Sequence, residues 1–200
     1  MPSSLSTTEQ FRQLVARAVA AKRSYEVCSV LQETLGDEKF EDVMRRYSSF
    51  FNSTLNANFI TIVMALTALY DEKYLSLPAL LREMRTADQL DENVKVEIES
   101  RIQQITTPLG KLCGIRHRVF AHISNKIADA SAVFEGVTMD EVKDVIDKTW
   151  DSVDQIRKSI GEPPYIPQES SEENTRAILR DLLDHRKYQL AHPEQFLFSA

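Results

Sequence analysis

Two hundred residues, 42% of them hydrophobic, are enough for one packed domain with a real core. Only five glycines and seven prolines leave little punctuation for strands and tight turns, so an all-α fold is expected, an antiparallel bundle of five to seven helices. The net charge of −6 excludes a surface that attracts polyanions all over, and two isolated cysteines, Cys28 and Cys113, have no metal-ligand spacing and read as reduced thiols of a cytoplasmic protein.

The first ten residues are polar and do not resemble a secretory signal. From about Thr7 to Leu35, Phe11, Leu14, Val15, Ala18, Val27, Val30, Leu31 and Leu35 recur at helical spacing, and Gly36 is a suitable stop. A second long pattern runs from about Glu38 to Tyr70, with room for a kink or break at its polar middle, where Asn52, Asn56 and Asn58 are read as helix-surface or inter-helix hydrogen-bonding groups rather than ligand-facing ones. Its most apolar run, Phe59 to Tyr70, is too short to span a bilayer, so no membrane partner is expected. Ser76 and Pro78 open a short helix to Thr86. Val94, Ile98, Ile102 and Ile105 form the stripe of the next one, after which Thr107 is expected to cap, and Pro108 to restart, a helix carrying Leu109, Leu112, Ile115 and Val119. Thr138 and Glu141 have capping-box spacing before the best-patterned helix, Val142 to Ile160, which Gly161 ends. Trp150 flanks that face as a packing anchor. Residues 1–161 are therefore read as the bundle. Residues 162–200 are read as a proline-containing linker, a last helix from about Glu172 to Leu190, and a tail, Phe196 to Phe198, that docks on the bundle or on a second subunit.

One segment stands apart. Between Ser100 and Ala128 there is no Asp or Glu, while Arg101, Lys111, Arg116, Arg118 and Lys126 supply five positive charges, so the rest of the chain carries −11. Within it, Leu112 to Ile123 packs Arg116, His117, Arg118 and His122 into seven residues. A cationic stretch in an acidic chain focuses polyanions at one place, and histidine there adds a group that titrates near neutral pH.

The run Phe50 to Leu81, with Leu69, Tyr70 and Asp71 before Ser76, Leu77 and Pro78, followed at a distance by Arg116 to His122, resembles the HEPN superfamily of small helical domains, most closely its AbiU-type abortive-infection branch. The resemblance covers roughly Phe40 to Ile160. Its signature is an Arg, four to six residues, then a His, often with a polar residue after the Arg. Here that makes Arg116 the arginine, His117 the polar follower and His122 the histidine. The resemblance implies a metal-independent, cofactor-free ribonuclease acting as a homodimer in phage defence or a toxin and antitoxin pair, with an antitoxin or nucleotidyltransferase as a further partner. The alternative is a non-cleaving member that binds nucleic acid, a nucleotide or a partner. The bare spacing recurs about once by chance in a chain with fourteen arginines and four histidines, and Arg186 with His192 is such a coincidental copy.

RNA cleavage by its own 2′-hydroxyl needs a base, an acid and positive charge at the phosphorus. Histidine fills either proton role, whereas arginine keeps its proton and serves as a phosphate clamp. His122 is thus the expected general base or acid and Arg116 the clamp, with His117 as an in-chain second proton carrier. Arg118, Lys111 and Lys126 are expected to bind phosphate. Arg118, four residues before His122, competes with Arg116 as its neighbour.

Overall fold

A computed structural model describes residues 5–72, 75–122, 136–165 and 170–195; the side chains of residues 119–122 lie outside that description. The chain is all-α. Among the described residues there are eight α-helices and no strand: α1 Thr7–Leu35, α2 Glu41–Arg46, α3 Ser48–Tyr70, α4 Leu77–Thr86, α5 Glu92–Gln104, α6 Thr106–His122, α7 Met139–Ser159 and α8 Ser171–Ala191.

The eighth helix arises because the Glu38 to Tyr70 pattern is broken at Tyr47, not at the asparagines. Tyr47 caps α2 with φ −107° and ψ 27°, outside the helical basin. The asparagines sit inside α3 without disturbing it: Asn58 donates to the Thr54 carbonyl at 2.9 Å, and Asn52 faces solvent. A polar side chain that is solvated or bonded within its own helix gives the backbone no reason to leave it. The uncharged run is accordingly longer than Phe59 to Tyr70. By length and composition alone α3 could cross a membrane, but Ile62, Val63, Leu66 and Leu69 are buried core residues.

The chain forms two compact units, one from residues 1–22 and 60–166, the other from 23–59 and 167–200. In the first, α5, α6 and α7 pack on one another. Their buried residues include Ile98, Ile105, Leu112, Ile115, Val142, Val145, Val153 and Ile156, the periodic positions of three amphipathic helices. In the second unit Val30, Leu31, Val43, Met44, Phe51, Leu179 and Leu183 make one cluster. Ion pairs tie α8 to its neighbours there, from Arg176 to Glu33 at 2.6 Å and from Arg186 to Asp42. That second pair occupies the arginine of the coincidental motif copy. The phenylalanines of the tail lie outside the described residues.

Helix α7 begins as its sequence predicts. Thr138, in extended backbone, accepts from the Glu141 N–H at 3.1 Å while the Glu141 carboxylate accepts from the Thr138 N–H at 2.9 Å. Removing such a hydroxyl leaves a helix donor without its partner. Thr138→Ala is expected to lower stability by about 1 kcal/mol in urea unfolding, with no change of slope. At the other end Gly161 adopts φ +69° and its N–H bonds the Lys158 carbonyl, while the Glu162 N–H bonds that of Arg157. Only a residue at ease in the left-handed region closes a helix in this way.

The join between α5 and α6 falls one residue earlier than Thr107. Ile105 caps α5 near φ −96°, ψ 4°, and Thr106 is already helical, its hydroxyl bonding back to the Ile102 carbonyl. Pro108 then lies in the first turn of α6, where the absent N–H has no partner to lose.

Candidate functional site

Helix α6 carries Arg116, His117 and Arg118, and its packing decides where each of these three points. Ile105, just before it, and Leu109, Leu112 and Ile115 on it are buried and fix the face that turns inward. At about 100° per residue, Arg116 falls within that inward arc, His117 lies well off it, and Arg118 is roughly opposite Arg116. The side chains follow: Arg116 is mostly covered, whereas His117 and Arg118 are exposed. The two arginines therefore do not share a face.

A guanidinium on an apolar arc needs a counter-charge, because leaving the charge uncompensated costs several kcal/mol. Asp71 supplies it. The Arg116 Nη1 donates to Asp71 Oδ2 at 3.3 Å, with side-chain exposures of only 21% and 19%. Asp71 directly follows Tyr70, the last residue of α3. The Tyr70 hydroxyl lies 2.7 Å from Thr149 Oγ1 on α7. Because the Thr149 hydroxyl already donates to the Val145 carbonyl at 2.6 Å, the phenol is the donor to threonine. Burial pushes the Tyr70 phenol up to about 12, partly offset by the bond to Thr149. The end of α3 is thus held on α7, and the carboxylate that follows it meets α6.

Lys111 and Arg118 are seven residues apart, two turns along one face of α6. Lys111 Nζ reaches Glu141 at 2.5 Å, and this bond, followed by that from the Thr138 N–H, holds the Glu141 carboxyl below the usual range. Position 122, the last residue of α6, falls near that face by register, about 40° from Arg118 and about 120° from Arg116, with about 9 Å of rise from the latter. The His122 side chain and Lys126 lie outside the described residues.

The stretch without acids in sequence is not without acids in space. Arg101 is paired with Glu97 at 2.6 Å and also donates to Gln155, Lys111 is paired with Glu141, and Arg116 with Asp71. Glu141 and Asp71 come from outside the run that holds the cations, and Glu97 precedes it by a few residues. The cationic field predicted from the linear run is thereby reduced.

Among the described residues, no group of three or more His, Cys, Asp or Glu side chains is placed to hold a metal ion. Cys28 is buried, and burial pushes its thiol up to about 12, so it is an inert core group. Trp150 packs against Tyr165, ring centres 5.8 Å apart, with Lys22 Nζ 5.5 Å from its ring.

The family model for AbiU2, of the HEPN type, matches residues 5–178. The chain belongs to the AbiU2 family. The match takes in α1 through α7 and the first third of α8. It thus reaches further at both ends than the Phe40 to Ile160 resemblance. No curated protein and no solved structure matches the chain. Membership makes it an abortive-infection type of HEPN protein and brings the Arg116 to His122 spacing within the matched region.

The site residue without a role in the sequence reading is Asp71, which enters there only within the Leu69, Tyr70, Asp71 run. A signal was present. No charged residue occurs between Arg46 and Asp71, so Asp71 is the first charge met at the end of a 23-residue uncharged helix, ahead of Glu72 and Lys73.

Proposed function

We propose that this AbiU2-family chain is a metal-independent endoribonuclease that cleaves RNA by attack of its own 2′-hydroxyl, at a composite site built by two copies of the chain. The observation that carries the reading is that Arg116, the arginine of the signature and on the same helix that ends at His122, is fixed by the Asp71 carboxylate just beyond α3. An arginine held in place, with N–H groups beyond the one Asp71 engages, suits the charge that develops on a phosphorane, because it need not reorganise during reaction. His122 takes or gives the proton. One imidazole serves as base or as acid, not as both in one step, so the twofold partner supplies the second, with His117 as the in-chain substitute. Arg118, Lys111 and Lys126 bind flanking phosphates. The role, by analogy with the family, is phage defence or the toxic half of a toxin and antitoxin pair in the cytoplasm, restrained by an antitoxin or a nucleotidyltransferase partner.

A second reading, a member that binds RNA without cleaving it, is favoured by the exposure of Arg118 on the face of α6 turned away from Arg116. One experiment separates them. Purified chain is incubated with single-stranded RNA in excess chelator. The ribonuclease reading expects turnover that persists in chelator and weakens steeply as salt rises. Salt-sensitive binding with no turnover would favour the second reading, and neither would leave a helical module without nucleic-acid function.

A further inference from the structure

A carboxylate beside the arginine works against RNA binding. It adds a negative charge where a polyanion must approach, and it occupies a donor that could otherwise meet phosphate. Yet Asp71 is held in that place. Tyr70, its neighbour, is anchored through Thr149, and both members of the Asp71 and Arg116 pair are about four-fifths covered. Without the carboxylate, the Arg116 side chain, on the inward arc of α6, would swing its charged head out to water, as long cationic side chains do on apolar surfaces. Resting on the ribonuclease reading above, we propose that Asp71 is the positioning residue for Arg116: by taking one guanidinium N–H it holds the fork at the edge of the core, with the remaining N–H groups left for the scissile phosphate. In this arrangement some ground-state affinity for RNA is given up for an arginine already placed for the transition state. No bond is made or broken by Asp71, and it does not touch the reacting atoms.

The role has a signature that a merely structural ion pair lacks, because kcat and affinity move in opposite directions. Turnover is measured on a labelled single-stranded RNA, and affinity on its 2′-O-methyl analogue, which lacks the attacking hydroxyl. Asp71→Asn keeps the shape and removes the charge. It is expected to lower kcat about 10- to 100-fold, while the Kd for the analogue tightens about two- to fivefold at low salt. Asp71→Glu, which restores the charge, is expected to recover most of kcat. Asp71→Asn with unchanged kcat overturns the proposal, as does parallel loss of kcat and affinity that Asp71→Glu does not recover. A wild-type chain that binds the analogue but cleaves no RNA overturns the ribonuclease reading, and the positioning role with it. A wild-type chain that does cleave RNA, but no faster than Asp71→Asn, overturns positioning alone.

Discussion

His122→Ala is expected to lower kcat for RNA cleavage by about 10²- to 10⁴-fold, a loss of roughly 3–5 kcal/mol of transition-state stabilisation. The magnitude follows from removing one of two proton transfers while leaving the electrostatic clamp in place. The fold is expected to survive, because position 122 is the last residue of α6 and alanine is the best helix former. The helical circular dichroism signal should therefore match that of wild type. Activity within about threefold of wild type would remove His122 from the chemistry. The same assay on His117→Ala locates the second proton carrier. Little loss there assigns it to the partner copy, and a loss as large as that of His122→Ala assigns it to the same chain.

Leu112→Ala is the largest expected effect on stability. Leu112 has no exposed surface and sits one turn before Arg116 on the inward face of α6. Truncating a fully buried leucine removes its transfer energy and leaves a cavity, together about 2–5 kcal/mol. For a chain of this size that corresponds to a fall in Tm of roughly 5–15 °C. The control is Leu190→Ala, at a side chain 62% exposed on α8, where a change within about 0.5 kcal/mol is expected. Equal effects at the two positions would contradict the inward face assigned to α6. Since that face also sets the direction of Arg116, the stability experiment bears on the site.

Local signals were the legible ones. Helix α1 was read from Thr7 to Leu35 because apolar spacing and Gly36 act over one or two turns, and Thr138 with Glu141 announced α7 because a capping box is a three-residue contact. The break at Tyr47 carries no such local mark, whereas the asparagines, legible as surface or hydrogen-bonding groups, stay inside α3, with Asn52 exposed and Asn58 bonded within its own helix. The separation into two units interleaved along the chain is also not local: it depends on which helices Leu179 and Leu183 meet.

The site shows the same division. The concentration of Arg116, His117, Arg118 and His122 was visible as composition, and family membership rests on long stretches of pattern. What composition omitted was the partner of each charge. Asp71 is 45 residues from Arg116, and Glu141 is 30 from Lys111, distances at which no sequence rule links a carboxylate to a cation. A stretch without acids is therefore a statement about the chain. The potential an RNA strand meets is set by the fold, and in this fold much of it is balanced. That balance turns attention from the number of cations to how well one arginine is held.

The most direct test of cleavage by the RNA's own 2′-hydroxyl is the chemical nature of the ends it leaves. Wild-type chain is incubated with a single-stranded RNA in chelator and the fragments are weighed by mass spectrometry. The account predicts a 2′,3′-cyclic phosphate on the upstream fragment and a 5′-hydroxyl on the downstream one, both absent with His122→Ala. Fragments carrying a 3′-hydroxyl and a 5′-phosphate, or intact RNA, would contradict it.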